Sequence, residues 1–222
     1  MSAATSPFAP VRLAGLPLRN RVIKAATFEG MTPGAQVSAG LIEHHRELAA
    51  GGVAMTTVAY CAVSPDGRTF ADQLYMRAEV VPALRRLTDA VHREGAAASL
   101  QLGHCGAFCN NRQLGRRRPI GPSRAWNPMG ALQGRPWADA MSDADIEQTQ
   151  EDFVQAARLA REAGFDAVEL HLGHGYLLSQ FLCPATNGRR DGWGGSLANR
   201  ARLPLAVVTR VRAAPPPQMP VL

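Results

Sequence analysis

The sequence lacks the features that would place it in several large classes of protein. No apolar run approaches the roughly 20 residues that span a bilayer, which excludes a membrane helix. The first ten residues show no charged segment followed by an apolar one, so no secretory leader is read there and the cytoplasm is the expected compartment. Charged residues are only 19% of the 222 and hydrophobic residues 46%, a balance that argues against intrinsic disorder. Aromatics are scarce, at 6%. The net charge of +6 therefore comes without the interleaved stacking side chains of a nucleic-acid module, and nucleic acid is not expected as a partner. The charge, with its one dense basic run Arg116-Arg117-Arg118, reads as a solvated loop or as attraction of a phosphorylated cofactor. Only four cysteines occur, Cys61, Cys105, Cys109 and Cys183, with no CxxC pair; buried free thiols are expected rather than disulfides or zinc. Internal repeats are absent too.

What is present is alternation of short apolar strands and amphipathic helices, the pattern of an α/β fold with parallel strands. Strands are predicted over 21–28, 53–63, 96–102 and 166–172. Helices are predicted from Ser38 to Gly51-Gly52, over 77–94, over 142–163 and over about 198–212. Val81, Leu84, Leu87 and Val91 share one face of the second helix, and Ile146, Phe153, Ala157 and Ala160 one face of the third. Ser142 and Asp145 have the spacing of a capping box, with Asp in place of the usual Glu or Gln. Pro204 is expected to delay or bend the last helix, and Pro215-Pro216-Pro217 to end it. Met219–Leu222 reads as the opening of a fifth strand. The stretch from Gly103 to Met141 is read as one long polar loop, a length usually reserved for function or mobility.

This order suits either a doubly wound sheet or a β/α barrel. The turn after the first strand, Glu29-Gly-Met-Thr-Pro-Gly34, is not a GxGxxG phosphate loop. A barrel fits better. A whole one takes about 250 residues, and four β/α units with two long loops already use up this chain. The expectation is a TIM (β/α)8-barrel type truncated after about four units, with residues 1–222 forming its N-terminal half.

In such barrels chemistry sits at the C-terminal ends of the strands. Polar residues stand at those ends: Thr27, Tyr60, Gln101 with His104, then Glu169, His171 and His174. The densest cluster is His171-Leu-Gly-His174-Gly-Tyr176. Two imidazoles so placed can donate hydrogen bonds to one carbonyl or anionic oxygen, and a tyrosine beside them can deliver a proton. Two satisfied polar histidines and a core tyrosine explain the same spacing. A metal reading needs a third ligand, and HExxH is absent.

Longer motifs carry a resemblance. Val168-Glu-Leu-His-Leu-Gly-His-Gly-Tyr-Leu-Leu-Ser-Gln-Phe-Leu182 and Asn187-Gly-Arg-Arg-Asp-Gly-Trp-Gly-Gly-Ser-Leu-Ala-Asn-Arg200 resemble the fourth strand and following loop of the Old Yellow Enzyme family of FMN-dependent ene-reductases. Asn20-Arg21-Val22, Ser64-Pro-Asp-Gly-Arg68, Gln101-Leu-Gly-His104 and Ala163-Gly-Phe-Asp-Ala-Val168 resemble that family at the other strand ends, so the likeness covers nearly the whole chain. It implies that His171 and His174 hold the oxygen of an α,β-unsaturated carbonyl and that Tyr176 protonates the α-carbon. Reduced FMN would give hydride to the β-carbon, with NADH or NADPH reducing the flavin first. Gln101 matches the glutamine on the pyrimidine side of the flavin; Ala26, Thr27 and Tyr60 match positions lining it, largely through backbone. Phe28 falls where the family usually has a Thr or Cys beside the flavin, so it is either a substrate-pocket residue or a core aromatic. The family's flavin-contacting Arg on strand five and its phosphate loops lie beyond Leu222.

A small enone-type molecule is the partner implied. Exposed strand edges invite pairing with another copy. Two rival readings stand: a non-catalytic fragment of such an enzyme, and a metal-dependent barrel hydrolase using His104, His171 and His174.

Overall fold

The computed structural model describes residues 6–214 and 219–222. Four parallel strands form its centre, in the order β3 (Ile23–Lys24), β4 (Met55–Ala62), β5 (Ala97–Gly103) and β9 (Ala167–Leu170). Between successive strands the chain returns through helices α1 (Ala39–Ala50), α2 (Val81–Arg93) and α4 (Asp143–Glu162). All eight residues of β4 are buried, because helices cover one face and barrel-interior side chains the other. Strands buried on both faces read as continuous apolar runs rather than alternating ones.

The predicted helix faces are the ones that pack. Leu84, Leu87 and Val91 of α2 join Ile146, Phe153 and Ala157 of α4 against Leu100, Leu102 and Val168 of the sheet. Burial of this surface is the main favourable term for the fold. Ser38 caps α1 through Leu41 N–H. At α4 both halves of the capping box form: Ser142 Oγ accepts from Asp145 N–H, and the Asp145 carboxylate accepts from Ser142 N–H at 2.9 Å. Aspartate therefore serves in the place of glutamate. A short helix α5 (Leu177–Leu182) follows β9, and the last helix, α6 (Leu197–Ala213), keeps Pro204 within its body and buries it. Residues 215–217, expected to end it, lie outside the described residues.

The opening of a fifth strand is observed. Val168 N–H donates to Pro220 O at 3.1 Å, Leu222 N–H to Val168 O at 2.9 Å and Leu170 N–H to Leu222 O at 2.9 Å. The arrangement is a β/α barrel sector of four units and the start of a fifth.

Two expectations are corrected, and one element was not foreseen. The first strand is much shorter than 21–28, with only Ile23–Lys24 paired. An N-terminal hairpin precedes it, β1 (Val11–Leu13) and β2 (Leu16–Leu18). Its two-residue turn has Ala14 and Gly15 both at positive φ, 44° and 93°, the geometry usually signalled by Asn-Gly. The hairpin packs Leu13, Leu16 and Leu18 on Ala54, Met55 and Ala167, at the N-terminal end of the barrel strands. Finally, the 103–141 stretch is not structureless. It holds β6 (Ile120–Gly121), β7 (Ala125–Trp126), α3 (Pro128–Ala131) and β8 (Trp137–Ala140) in a small sheet of order β6-β8-β7. Trp126 and Trp137 face each other edge-on across it at 5.4 Å.

The arginine run in this excursion is not simply solvated. Arg116 bridges Asp66 and Asp145, both at 2.9 Å, and Arg118 pairs with Asp139 at 3.0 Å. Cys61, Cys105 and Cys109 are buried free thiols as expected, whereas Cys183 is exposed. Among the described residues no helix is long and apolar enough to cross a membrane.

Candidate active site

A cleft of about 240 Å³ opens at the C-terminal ends of the four strands. Ala26 and Phe28 reach it from beyond β3, Ala59 and Tyr60 from β4, Gln101 from β5, and His171, His174 and Tyr176 from the segment after β9. Seven of the residues singled out in the sequence thus meet in one place. Thr27 does not line it; it is exposed, with its hydroxyl over Ala25 O at 3.4 Å. His104 is also turned away. It is buried at 2% exposure, accepts from Gly106 N–H through Nδ1, and faces Asp66 at 3.9 Å. Among the described residues no three His, Cys, Asp or Glu side chains converge as metal ligands, so the hydrolase reading has no third ligand at the cleft.

The turn after β9 aims the histidines. His171 N–H donates to Leu102 O at 2.9 Å, which extends the β5–β9 ladder one step past the strand. His174 then adopts φ +56° and Gly175 φ +68°. A non-glycine residue in the left-handed region is uncommon and strained; here it folds His174 back onto His171. Their rings meet with Nδ1 of His174 3.0 Å from Nε2 of His171. Only one of those nitrogens carries a proton in that contact. In the tautomers where both carry one, the pair converges on an outside acceptor instead, and an oxygen atom replaces the mutual bond. Burial, with His174 beside it, lowers His171 to about 4, so this donor is neutral at pH 7.

Two tyrosines flank the pair and differ in where their protons go. Tyr60 stands edge-on to His171 at 5.7 Å and to Tyr176 at 5.2 Å. Its hydroxyl donates to Gly67 O at 2.9 Å, and burial pushes its pKa well up. That proton is committed. Tyr176 instead accepts from Thr69 Oγ1 at 3.4 Å, which leaves its own proton free for the cleft. The ring of Tyr60, rather than its backbone alone, is part of the site. Gly103 makes room for it: a Cβ there would come within 2.6 Å of the ring.

Phe28 is 55% exposed rather than a core aromatic, and packs edge-on against Phe70 at 5.2 Å on the cleft wall.

Sequence reasoning missed Phe70 and Gln73, which also line the cleft. It missed a charged network beneath it. Lys24, the chain's sole lysine, meets Glu29 at 2.5 Å and Thr57 O at 3.1 Å. Glu29 also takes Ala59 N–H at 3.3 Å and faces His45 Nε2 at 3.4 Å. Burial raises the Glu29 carboxyl, but His45 and Lys24 outweigh it and hold it below its usual range. A lysine inside an apolar strand was the available signal.

The sequence profile of the NADH:flavin oxidoreductase / NADH oxidase family matches residues 6–215. The chain belongs to that family. Among relatives, it is 49% identical over 218 residues to a 4,4'-dithiodibutanoate disulfide reductase of Rhodococcus erythropolis, covering 96% of this chain and 52% of that protein. It is 35% identical over 205 residues to a multifunctional alkene reductase/demethylase of Caballeronia cordobensis, covering 91% of this chain and 30% of that one. The structure superposes on the Old Yellow Enzyme of a Pichia species with a TM-score of 0.89 at 27% identity, over 97% of this chain and 58% of that one. The chain therefore spans about half the length of the first relative and less of the second. As in other members of this oxidoreductase family, the fold is of the TIM-barrel type, and four parallel strands of it are present here.

Do the cleft residues suit the family's flavin? Ala26 and Ala59 give a wall with little side-chain bulk, and Gln101 offers a planar amide at one edge. These fit a flat, ureide-edged ring. Among the described residues no Arg or Lys lines the cleft, so its lining suits the ring rather than a phosphate. At about 240 Å³ the space is slightly below the roughly 300 Å³ of small ligand pockets, as suits a site walled on one side only.

Proposed function

We propose that residues 1–222 form the N-terminal half of a flavin barrel that reduces activated C=C bonds of α,β-unsaturated carbonyls, with FMN as cofactor and NADH or NADPH as donor. The single observation that carries this reading is the convergence of His171, His174 and Tyr176 on one cleft with Gln101, Tyr60 and Ala26. When bound, FMN supplies the hydride. His171 and His174 direct N–H groups at the substrate oxygen and stabilise the negative charge that develops there. Tyr176, whose proton is uncommitted, protonates the α-carbon. Phe28 and Phe70 give the substrate an apolar wall. Gln101 orients the flavin ring by its pyrimidine edge.

A second reading has its own support in the 49% identity to a disulfide reductase. The acceptor would then be a small disulfide. Hydride attack on one sulfur breaks the S–S bond and releases one thiol and one thiolate; the two histidines stabilise the thiolate and Tyr176 returns it a proton.

The test is to load the chain with FMN and follow NAD(P)H oxidation with a cyclic enone and with a small aliphatic disulfide. Enone turnover supports the first reading and disulfide turnover alone the second. A chain that takes up flavin yet reduces neither is a non-catalytic half-barrel.

A further inference from the structure

Gln101 and Glu169 are exact neighbours across the sheet, paired in the parallel register of β5 and β9. Gln101 Nε2 donates to Glu169 Oε1 at 2.6 Å. Gln101 is 8% exposed and lines the cleft. Among the described residues, its carbonyl oxygen takes no partner.

A glutamine amide turned by 180° has the same shape but opposite hydrogen-bonding sense. An ionised carboxylate only accepts. Placed beside Gln101, it admits the nitrogen end and repels the oxygen end. One of the two Nε2 protons is consumed, and a charge-assisted bond of this kind is roughly twice as strong as a neutral one. What is left for the cleft is one acceptor, Oε1, beside one donor, the second Nε2 proton.

We infer that Glu169 is a positioning residue that fixes the amide of Gln101 so that it presents an acceptor–donor pair to the ureide edge of a flavin. That edge carries an N–H between two carbonyls. Oε1 accepts from the flavin N3–H, and the free Nε2 proton reaches a flanking carbonyl. The reversed amide would set oxygen against oxygen. Glu169 acts only through Gln101; it needs no contact with the ring. The inference rests on the flavin reading of the cleft.

Two measurements separate the pair from that reading. The first needs no flavin: the side-chain amide of Gln101, assigned by its loss in Q101A, is followed by NMR. Coupling to the carboxylate predicts one downfield Nε2 proton that shifts in E169A and E169Q. An amide insensitive to both variants overturns the inference. The second compares FMN with 3-methyl-FMN, which lacks the N3 proton. The wild-type chain should bind FMN roughly ten-fold more tightly, the cost of one unmade buried hydrogen bond. E169A should weaken FMN and shrink that preference towards unity, while 3-methyl-FMN binding changes little. Coupling by NMR with an unchanged preference in E169A makes the pair merely structural and overturns the inference. Coupling by NMR with no uptake of either flavin overturns the flavin reading itself, and the assigned role with it.

Discussion

At the scale of single residues, His171 is the side chain whose surroundings decide most. Burial beside His174 brings it down to about 4, against roughly 6.5 for an exposed histidine. The folded protein therefore binds fewer protons than the unfolded chain between those values. The stability that depends on neutral His171 is whole above pH 6.5 and is lost as pH falls towards 4. Denaturant melts at pH 7 and pH 5 should show this fall, and H171N, which cannot titrate there, should show less of it; an equal fall in both places the acid sensitivity elsewhere. Replacing His171 and His174 by Ala should weaken binding of a phenol in the FMN-loaded protein by roughly ten-fold or more, read by titration of the visible spectrum. Much at this scale was legible. The HxxHxY spacing and the family motifs named seven of the residues that meet in the cleft. Thr27 stands outside the cleft lining because a strand expected to run to Phe28 pairs only at Ile23–Lys24, which frees the chain beyond to turn. Phe70 and Gln73 were invisible because they come from an irregular connection with no periodicity to read.

At the scale of elements, charge and capping do what apolar patterning cannot. The Lys24–Glu29 pair joins the end of β3 to β4, with Glu29 6% and Lys24 15% exposed at the side chain. Breaking a buried pair leaves the remaining charge uncompensated. E29Q should cost about 3 kcal/mol in denaturant unfolding, the low end for such pairs because Lys24 keeps some water; a loss below about 1 kcal/mol would show the network to be incidental. S142A should cost about 1 kcal/mol by removing half of the α4 capping box, with no effect on flavin binding. The helices were legible because their apolar faces and Ser caps are local signals. The N-terminal hairpin was not, since Ala14-Gly15 bends without the Asn-Gly signature. Neither was the small sheet within 103–141, whose two- to four-residue strands are too short to show alternation and meet through the Arg118–Asp139 pair and the Trp126–Trp137 contact.

At the scale of the whole molecule, the sheet holds one wall of a barrel and the cleft one wall of a site. The cleft-lining residues are assembled, and among the described residues no cation stands with them to meet a phosphate. The chain should accordingly bind riboflavin and FMN with affinities within about threefold of each other, as one charge-assisted hydrogen bond adds more than that; a strong preference for FMN in a fluorescence titration would reveal a phosphate contact outside the cleft. The barrel class was readable from element order and from the lack of a glycine-rich loop after the first strand. On the proposed reading, Tyr176 gives the proton that completes reduction of the substrate. Stopped-flow measurement of the two half-reactions in FMN-loaded Y176F tests it most directly. Alkene reduction should slow roughly 10²- to 10⁴-fold while flavin reduction by NAD(P)H keeps its wild-type rate. Equal slowing of both half-reactions, or none of either, would contradict the assignment.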